Sequence, residues 1–230
     1  MISVIIRTRN EEKWIRRCLQ ALQCQSVPHL EVVVVDSGST DRTVAVAKQH
    51  GCRLVQLQEN HFTYGRALNL GIEASRGEYV AILSAHCIPL NDQWALRLFL
   101  NFAQEEIAAC YGRQEPLPDS DIFDKRDLWT TFGLDRRIQV KDYFFHNANA
   151  MVRRKLWEVF PFDETLSGVE DRAWARQVIE QGYKIVYEPE ASVYHYHGIH
   201  QGRDAARCER VVKVIEWIHN GGKPTASRSE

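Results

Sequence analysis

Residues 30–43 read "LEVVVVDSGSTDRT". Four valines without a polar interruption suit a strand covered on both faces, because a strand with one wet face alternates apolar and polar residues. The run then breaks into Asp36, Ser37, Gly38, Ser39, Thr40 and Asp41, short side chains that hydrogen-bond nearby backbone and start helices. "TVAVAKQHG" (43–51) follows as a helix stopped by Gly51, and "CRLVQL" (52–57) as another strand. Upstream the order is the same: "ISVII" (2–6) is a short buried strand, "RTRN" (7–10) a polar loop, and "EEKWIRRCLQALQCQ" (11–25) places Trp14, Ile15, Cys18, Leu19 and Leu22 at helical spacing. Downstream, "GRALNLGIEASRG" (65–77) predicts a helix ending near Gly77 and "EYVAILSA" (78–85) a further buried strand. Strands alternating with helices predict right-handed βαβ units and an α/β fold with a mostly parallel sheet flanked by helices. Ligands of such sheets bind outside the carboxyl ends of the strands, so "RTRN", "DSGSTD" (36–41) and "SAHC" (84–87) are expected to meet along one edge. Each loop alone could serve only to cap the next helix; three together favour a site.

The chain has 230 residues, 44% of them hydrophobic, enough for one large domain, or one domain with a small appendage. A net charge of −1 argues against general nucleic-acid binding, although Arg203, Arg207, Arg210 and Lys213 could form a local basic patch. Six dispersed cysteines with no CxxC pair indicate neither a zinc knuckle nor a disulfide scaffold and fit a reducing cytoplasm. No apolar run approaches the ~20 residues of a bilayer span, and the N-terminus enters a strand without a basic leader. In the second half, "QEPLPDSDIFDKRDLW" (114–129), with Pro116, Pro118 and many acids, is expected to be a loop or crossover. From "FFHNANAMVRRKLWEVF" (144–160) to "YHYHG" (194–198) the pattern reads strand, helix, loop, helix, strand. "DAARCERVVKVIEWIHNGG" (204–222) is an amphipathic helix expected to pack on its own domain, a partner subunit or a membrane surface being the alternatives. The expected domain runs over 1–200, with the C-terminal helix over 201–222 and a frayed end over 223–230.

The ordered succession "SVIIRTRNE", "VVVVDSGSTDRT", "GRALNLGIEASRGEYVAIL", "NANAMVRR" and "FDETLSGVEDRAWARQVIEQGYKIVYEPEASVYHYH" resembles the family 2 glycosyltransferases, inverting enzymes with the single-domain nucleotide-sugar fold called GT-A. The resemblance covers about residues 2–197 and rests on the order of the motifs. It implies a nucleotide-diphosphate sugar as donor, Thr8 and Asn10 beside the nucleotide, and Asp36 accepting a hydrogen bond from base or ribose. Arg66 and Asn69 fall on the segment that contacts nucleotide or phosphates in the family, and a guanidinium suits a diphosphate. Asp171 is implied as general base and Glu170 as its orienting or acceptor-binding neighbour. Inversion needs such a base, because the acceptor hydroxyl loses its proton while attacking the anomeric carbon. Near the helix start the macrodipole lowers the Asp171 pKa whereas apolar neighbours and Glu170 raise it; the sequence leaves the outcome open. His146 and Asn147 fall on the acceptor-facing wall.

One departure is informative. Relatives place an Asp-x-Asp sequence where this chain has Ser84, Ala85 and His86. Loss of both carboxylates weakens a Mg²⁺ site and favours Mn²⁺ or a similar ion, since imidazole suits softer metals. His86 then holds a metal, donates to phosphate directly, or packs at a strand end. His195 or His197 matches the late histidine that completes the metal or diphosphate site; strand alternation puts both on one face and Tyr194 and Tyr196 on the other. Gly198 and Gly202 would let the next segment close over the donor, with Arg203 as a lid residue. The expected activity is a hexosyl- or deoxyhexosyltransferase of polysaccharide or glycoconjugate biosynthesis. Its acceptor would be a glycan or a lipid-linked sugar, and peripheral contact with the inner membrane face and a homodimer are left open. Two rivals stand: a silent module binding nucleotide or glycan, and a dinucleotide oxidoreductase, the latter disfavoured by the lack of GxGxxG after the first strand.

Overall fold

The computed structural model describes residues 1–166, 168–198 and 205–220. The first half follows the expected alternation: β1 (Ile2–Thr8), α1 (Glu12–Gln23), β2 (Glu31–Asp36), α2 (Thr43–Gln49), β3 (Arg53–Gln56), α3 (Tyr64–Glu73) and β4 (Tyr79–Ser84). Then come β5 (Cys87–Pro89), α4 (Trp94–Leu100), β6 (Ile107–Pro116), α5 (Ile122–Thr131), β7 (Arg137–Gln139), β8 (Asn149–Arg153), α6 (Arg154–Val159), α7 (Glu170–Glu180), β9 (Lys184–His195) and α8 (Ala205–Asn220). The strands form one sheet in the order β3-β2-β1-β4-β8-β6-β9-β5, with β7 also paired to β9. Strands β1 to β4 pair in parallel, whereas β8 is antiparallel to both β4 and β6, so the sheet is mixed.

Continuous apolar strands are explained by cover on both faces. Along β1, Ile5 packs into a layer with Ala67, Leu68 and Ile72 of α3, while Val4 and Ile6 pack into the opposite layer with Ile15, Cys18 and Leu19 of α1. Helix α3 can approach so closely because Gly71 has no side chain; a β-carbon there would overlap Ile5 and Val35. The three polar loops do meet at the carboxyl edge: the Asn10 N–H donates to Ser39 Oγ (2.9 Å), Thr40 N–H to Asn10 Oδ1 (2.8 Å) and Glu12 N–H to Asp41 Oδ2 (3.0 Å), while His86 Nδ1 of the third loop lies 2.8 Å from Glu11 Oε1. Asp41 also accepts from Thr43 N–H (2.9 Å) at the start of α2, the capping role its position suggests.

Residues 114–129 depart from expectation. The acidic stretch after Pro118 folds into α5, capped by Asp121, which accepts from Phe123 N–H (2.9 Å). Only Leu128 of this helix is buried, so it lacks the apolar stripe by which a helix is recognised. The strand, helix, loop, helix, strand order of the second half appears as β8, α6, α7 and β9. Strand β9 pairs parallel to β6 and antiparallel to β5, with Cys87 opposite His195; this register carries the two histidine-bearing segments to one place. Helix α8 lies against α7, where Arg176 Nη1 donates to the Ile218 carbonyl (3.2 Å). Its Ile218 side chain is buried. No helix among the described residues is long and apolar enough to cross a membrane, and all six cysteines are unpaired thiols.

Candidate active site

A cavity of about 800 Å³ opens where β1, β4 and β9 end, walled by the start of α7 and by the residues that lead into α5. Glu170 and Asp171, the first two residues of α7, both line it. The chain enters that helix through Gly168 (φ 116°) and Val169 (φ 62°). A left-handed conformation is costly for a β-branched residue, and here it sets the turn that delivers the carboxylate pair. Asn147 holds both: its N–H donates to Asp171 Oδ2 (3.1 Å) and its Nδ2 to Glu170 Oε1 (3.4 Å). Arg7, projecting from β1, lies 3.7 Å from Glu170 Oε1 and 4.8 Å from the centre of the Tyr64 ring.

Burial lifts both carboxyls above their ordinary range. The Glu170 pKa rises to about 7, chiefly through desolvation and then through Asp171, against the opposing pull of Arg7. Asp171 moves up for the same reason, against the Asn147 N–H and Arg172. Burial therefore outweighs the helix dipole. A linkage follows. Between the ordinary value of 4.5 and about 7, the folded chain holds a proton on Glu170 that the unfolded chain releases, so stability falls as pH rises through that window. Glu170→Gln removes this loss. Thermal melts at pH 5 and pH 8 should show the variant gaining on the wild type by on the order of 2 kcal/mol, about 4–8 °C in Tm. An equal difference at both pH values would mean that Glu170 does not titrate in the window.

Across the cavity, His86, His195 and His197 stand together, a ring nitrogen of each within 4.8 Å of those of the other two. The His86 and His195 rings are stacked, 5.1 Å apart and 5° from parallel. His195 is 2% exposed and its Nε2 is buried with no hydrogen-bond partner. Desolvation first, then His86, His197 and His146, hold its pKa well below the ordinary value, so its imidazole is neutral. Neutral imidazole is the form that binds metal, and a buried nitrogen without a partner is what a missing ligand leaves. The three residues fit a divalent cation with nitrogen affinity.

The family model for glycosyl transferase family 2 matches residues 3–160. The chain belongs to glycosyl transferase family 2. Among its relatives, the O-antigen chain rhamnosyltransferase WbaN of Salmonella anatum is 28% identical over 77% of this chain and 60% of its own length. The glycosyltransferase AglE of Haloferax volcanii is 30% identical over 81% of this chain and 64% of its own. The chain thus spans less than two thirds of the length of these curated relatives. The fold is that of GT-A transferase structures. A mannosyltransferase from Pyrobaculum calidifontis in complex with GDP-Man and Mn²⁺ superposes with a TM-score of 0.73 at 22% identity, covering 96% of this chain and 65% of that one. S. aureus TarS in complex with UDP-GlcNAc gives 0.72 at 20% identity, covering 97% and 67%.

In this family 2 chain the cavity collects Thr8, Ser84, His86, His146, Asn147, Glu170, Asp171, His195 and His197 of the residues expected from sequence. Thr8 Oγ1 is buried there without a partner. Four others lie elsewhere. Asn69 is 4% exposed and spends its whole amide on structure: Nδ2 donates to the Phe162 carbonyl and Glu164, and Oδ1 accepts from Trp157 Nε1 and Phe162 N–H. It pins α3 to the segment before α7 and has no capacity left for phosphate. Asp36 accepts from Gly38 N–H, Ser39 N–H and Ser39 Oγ within its own turn, and it is Ser37 that faces the cavity. Asn10, at φ 54°, splints the first loop to the second. Arg66 is half-buried on α3, outside the cavity lining, with Nε unpartnered. Arg203 lies outside the described residues, so the expected lid and part of the basic patch have no structural description here. Arg7, Glu11 and Gln114 were not anticipated. The visible signals were a cation inside the apolar "SVIIRT" and a glutamine at the end of "ACYGRQ".

Proposed function

We propose that this chain catalyses inverting transfer of a hexosyl or deoxyhexosyl unit from a nucleotide-activated donor to an acceptor hydroxyl. The reading rests on one arrangement: two desolvated carboxyls on one wall of a single cavity, a guanidinium beside them and a histidine cluster lining the same cavity. Asp171 takes the acceptor proton as the acceptor oxygen bonds to the anomeric carbon, and the bond to the nucleoside diphosphate breaks on the opposite face. Its raised pKa suits the task, because a base poised nearer neutrality accepts a proton more readily. Asn147 orients it, and Glu170, tied to Arg7, receives acceptor hydroxyls. Arg7 carries positive charge into the cavity, where charge on the departing diphosphate has to be met. His86, His195 and His197 would hold a divalent cation, which supplies Lewis-acid stabilisation of that leaving group. The names of the relatives support a deoxyhexose such as rhamnose and a role in surface-polysaccharide assembly.

Calorimetry with UDP, GDP and dTDP should find one nucleoside diphosphate that binds, and transfer from the matching sugar donor should give a product whose anomeric configuration, read by NMR, is opposite to the donor's. Retained configuration, or no binding across the panel, would overturn the assignment.

A further inference from the structure

We propose that His86, His195 and His197 form an all-nitrogen metal site that binds a first-row transition ion through three Nε2 atoms and discriminates against Mg²⁺. That the ion then meets a diphosphate rests on the transferase reading; the site itself does not.

A neutral imidazole carries one N–H and one lone pair, and its neighbours settle which nitrogen has which. His86 Nδ1 lies 2.8 Å from Glu11 Oε1, and a carboxylate only accepts, so the proton is on Nδ1. His197 Nδ1 lies 2.9 Å from the Gly198 carbonyl oxygen, again an acceptor only. His195 takes one step more. Its Nδ1 is 2.6 Å from Gln114 Oε1, while Gln114 Nε2 is 3.0 Å from His146 Nδ1. The orientation of that amide is set by Ala148, whose N–H donates to the same His146 Nδ1 (3.4 Å). His146 Nδ1 is therefore an acceptor, Gln114 must turn its NH₂ toward it, and the amide oxygen faces His195. His195 Nδ1 then bears the proton. In the neutral form of each ring the lone pair is then on Nε2.

One ring nitrogen of each histidine lies within 4.8 Å of those of the other two; lone pairs cannot hydrogen-bond one another, and His195 Nε2 has no partner among the described residues. A cation resolves this. Nitrogen binds such ions at about 2.0–2.1 Å, so a contraction of roughly 1 Å completes the site. A carboxylate, a side-chain amide and a backbone carbonyl, each receiving the far N–H of a ligating histidine, are the outer partners that fix tautomer and ring orientation in metal sites. The inner set offers no carboxylate. Hard Mg²⁺ prefers oxygen, whereas affinity for imidazole rises from Mn²⁺ through Co²⁺ to Zn²⁺. Three ligands also leave positions open on the cavity side.

The test uses the whole chain, stripped with chelator and free of nucleotide. Equilibrium dialysis with Co²⁺, Zn²⁺, Mn²⁺ and Mg²⁺ should place Zn²⁺ and Co²⁺ above Mn²⁺, with Mg²⁺ at least about 100-fold weaker than Co²⁺, and bound Co²⁺ should develop a visible d–d band. His195→Ala should abolish the band. His86→Ala, at a less buried position, repeats the test if the first variant fails to fold. Gln114→Leu should weaken Co²⁺ binding roughly 10–100-fold with all three ligands in place. Mg²⁺ binding as tight as Co²⁺ binding, or a Co²⁺ band untouched in a folded histidine variant, would overturn the proposal. Co²⁺ bound as described by a protein that transfers no sugar would uphold this site and remove the transferase reading alone.

Discussion

Asp171→Asn should leave the protein folded and able to bind its nucleoside diphosphate while lowering sugar transfer by roughly 10³-fold, within the 10²–10⁴ that a positioned general base contributes. The fold should survive because the amide oxygen can still accept from Asn147 N–H, the bond that now holds Asp171 Oδ2 at 3.1 Å. Asp171 Oδ1 also accepts from Arg172 N–H (2.8 Å), a bond that the NH₂ of Asn cannot replace, at about 0.5–1.5 kcal/mol; removing a partly desolvated charge offsets part of that cost. The comparison with Glu170→Gln carries the assignment. Glu170 is 4% exposed and tied to Arg7, whereas Asp171 is less buried. Transfer should therefore collapse in Asp171→Asn and fall less in Glu170→Gln, where acceptor binding suffers and KM rises more than kcat drops. If Asp171→Asn keeps activity within tenfold and Glu170→Gln loses it, the base is Glu170 and the roles exchange. Calorimetric titration of nucleoside diphosphate into both variants guards against misfolding as the cause.

Strands β1 to β4 and the convergence of their loops were legible in the sequence, because buried parallel strands are written as unbroken apolar runs and their ends as clusters of capping residues. The carboxylate pair was legible too, from an acidic start to a helix whose pattern turns Ala173, Trp174, Val178 and Ile179 inward; Trp174, Val178 and Ile179 are buried, while Ala173 is half-buried and Ala175 takes the inner place. What failed was the use made of particular side chains. Asn69 sits where a ligand-binding residue was expected, yet its amide is fully engaged by Trp157, Phe162 and Glu164, whereas Asp36, which accepts from Gly38 and Ser39 in its own turn, keeps acceptor capacity on Oδ1. The partners of Asn69 lie about 90 residues away, and no local pattern announces them. Helix α5 was hidden by its composition, since a helix that buries only Leu128 has no stripe to read. The histidine cluster was half visible. Alternation put His195 and His197 on one face, and Tyr194 and Tyr196 are indeed exposed while His195 is buried. That His86 joins them depends on Cys87 pairing opposite His195, a register fixed by tertiary structure. Gln114 was invisible for the same reason: its meaning lies in His146 and His195, 32 and 81 positions further along the chain.

Gly112→Ala should destabilise the protein by about 3 kcal/mol or more, overpacking at the upper end of its usual range, and lower Tm by roughly 6–12 °C. A β-carbon at residue 112 would overlap the Ala191 carbonyl oxygen and Asn149 Nδ2. Neither can yield cheaply. Between Gly112 and Gln114 the β6–β9 register skips, so that Gly112 faces Glu188 but Gln114 faces Val193, and residues 189–192 arch toward β6. Asn149 closes the arch: its Nδ2 donates to the Ala191 carbonyl (2.8 Å) and the Arg113 carbonyl (3.0 Å), and its Oδ1 accepts from Trp94 Nε1 (2.8 Å). Moving Ala191 aside breaks a buried bond and leaves the fully buried Asn149 with an unmet donor, at about 1–3 kcal/mol. The arch also phases the strand that follows. Past it, Val193 and His195 turn inward and His195 reaches Gln114, so a shift here should loosen the histidine cluster before the molecule unfolds. Thermal melts followed by Co²⁺ titration of the variant below its Tm separate the two effects: the expected result is a lower Tm together with weaker Co²⁺ binding. A Tm within about 2 °C of the wild type would show that the arch is soft, and that the position of His195 is held by something other than the close contact of β6 with residue 191.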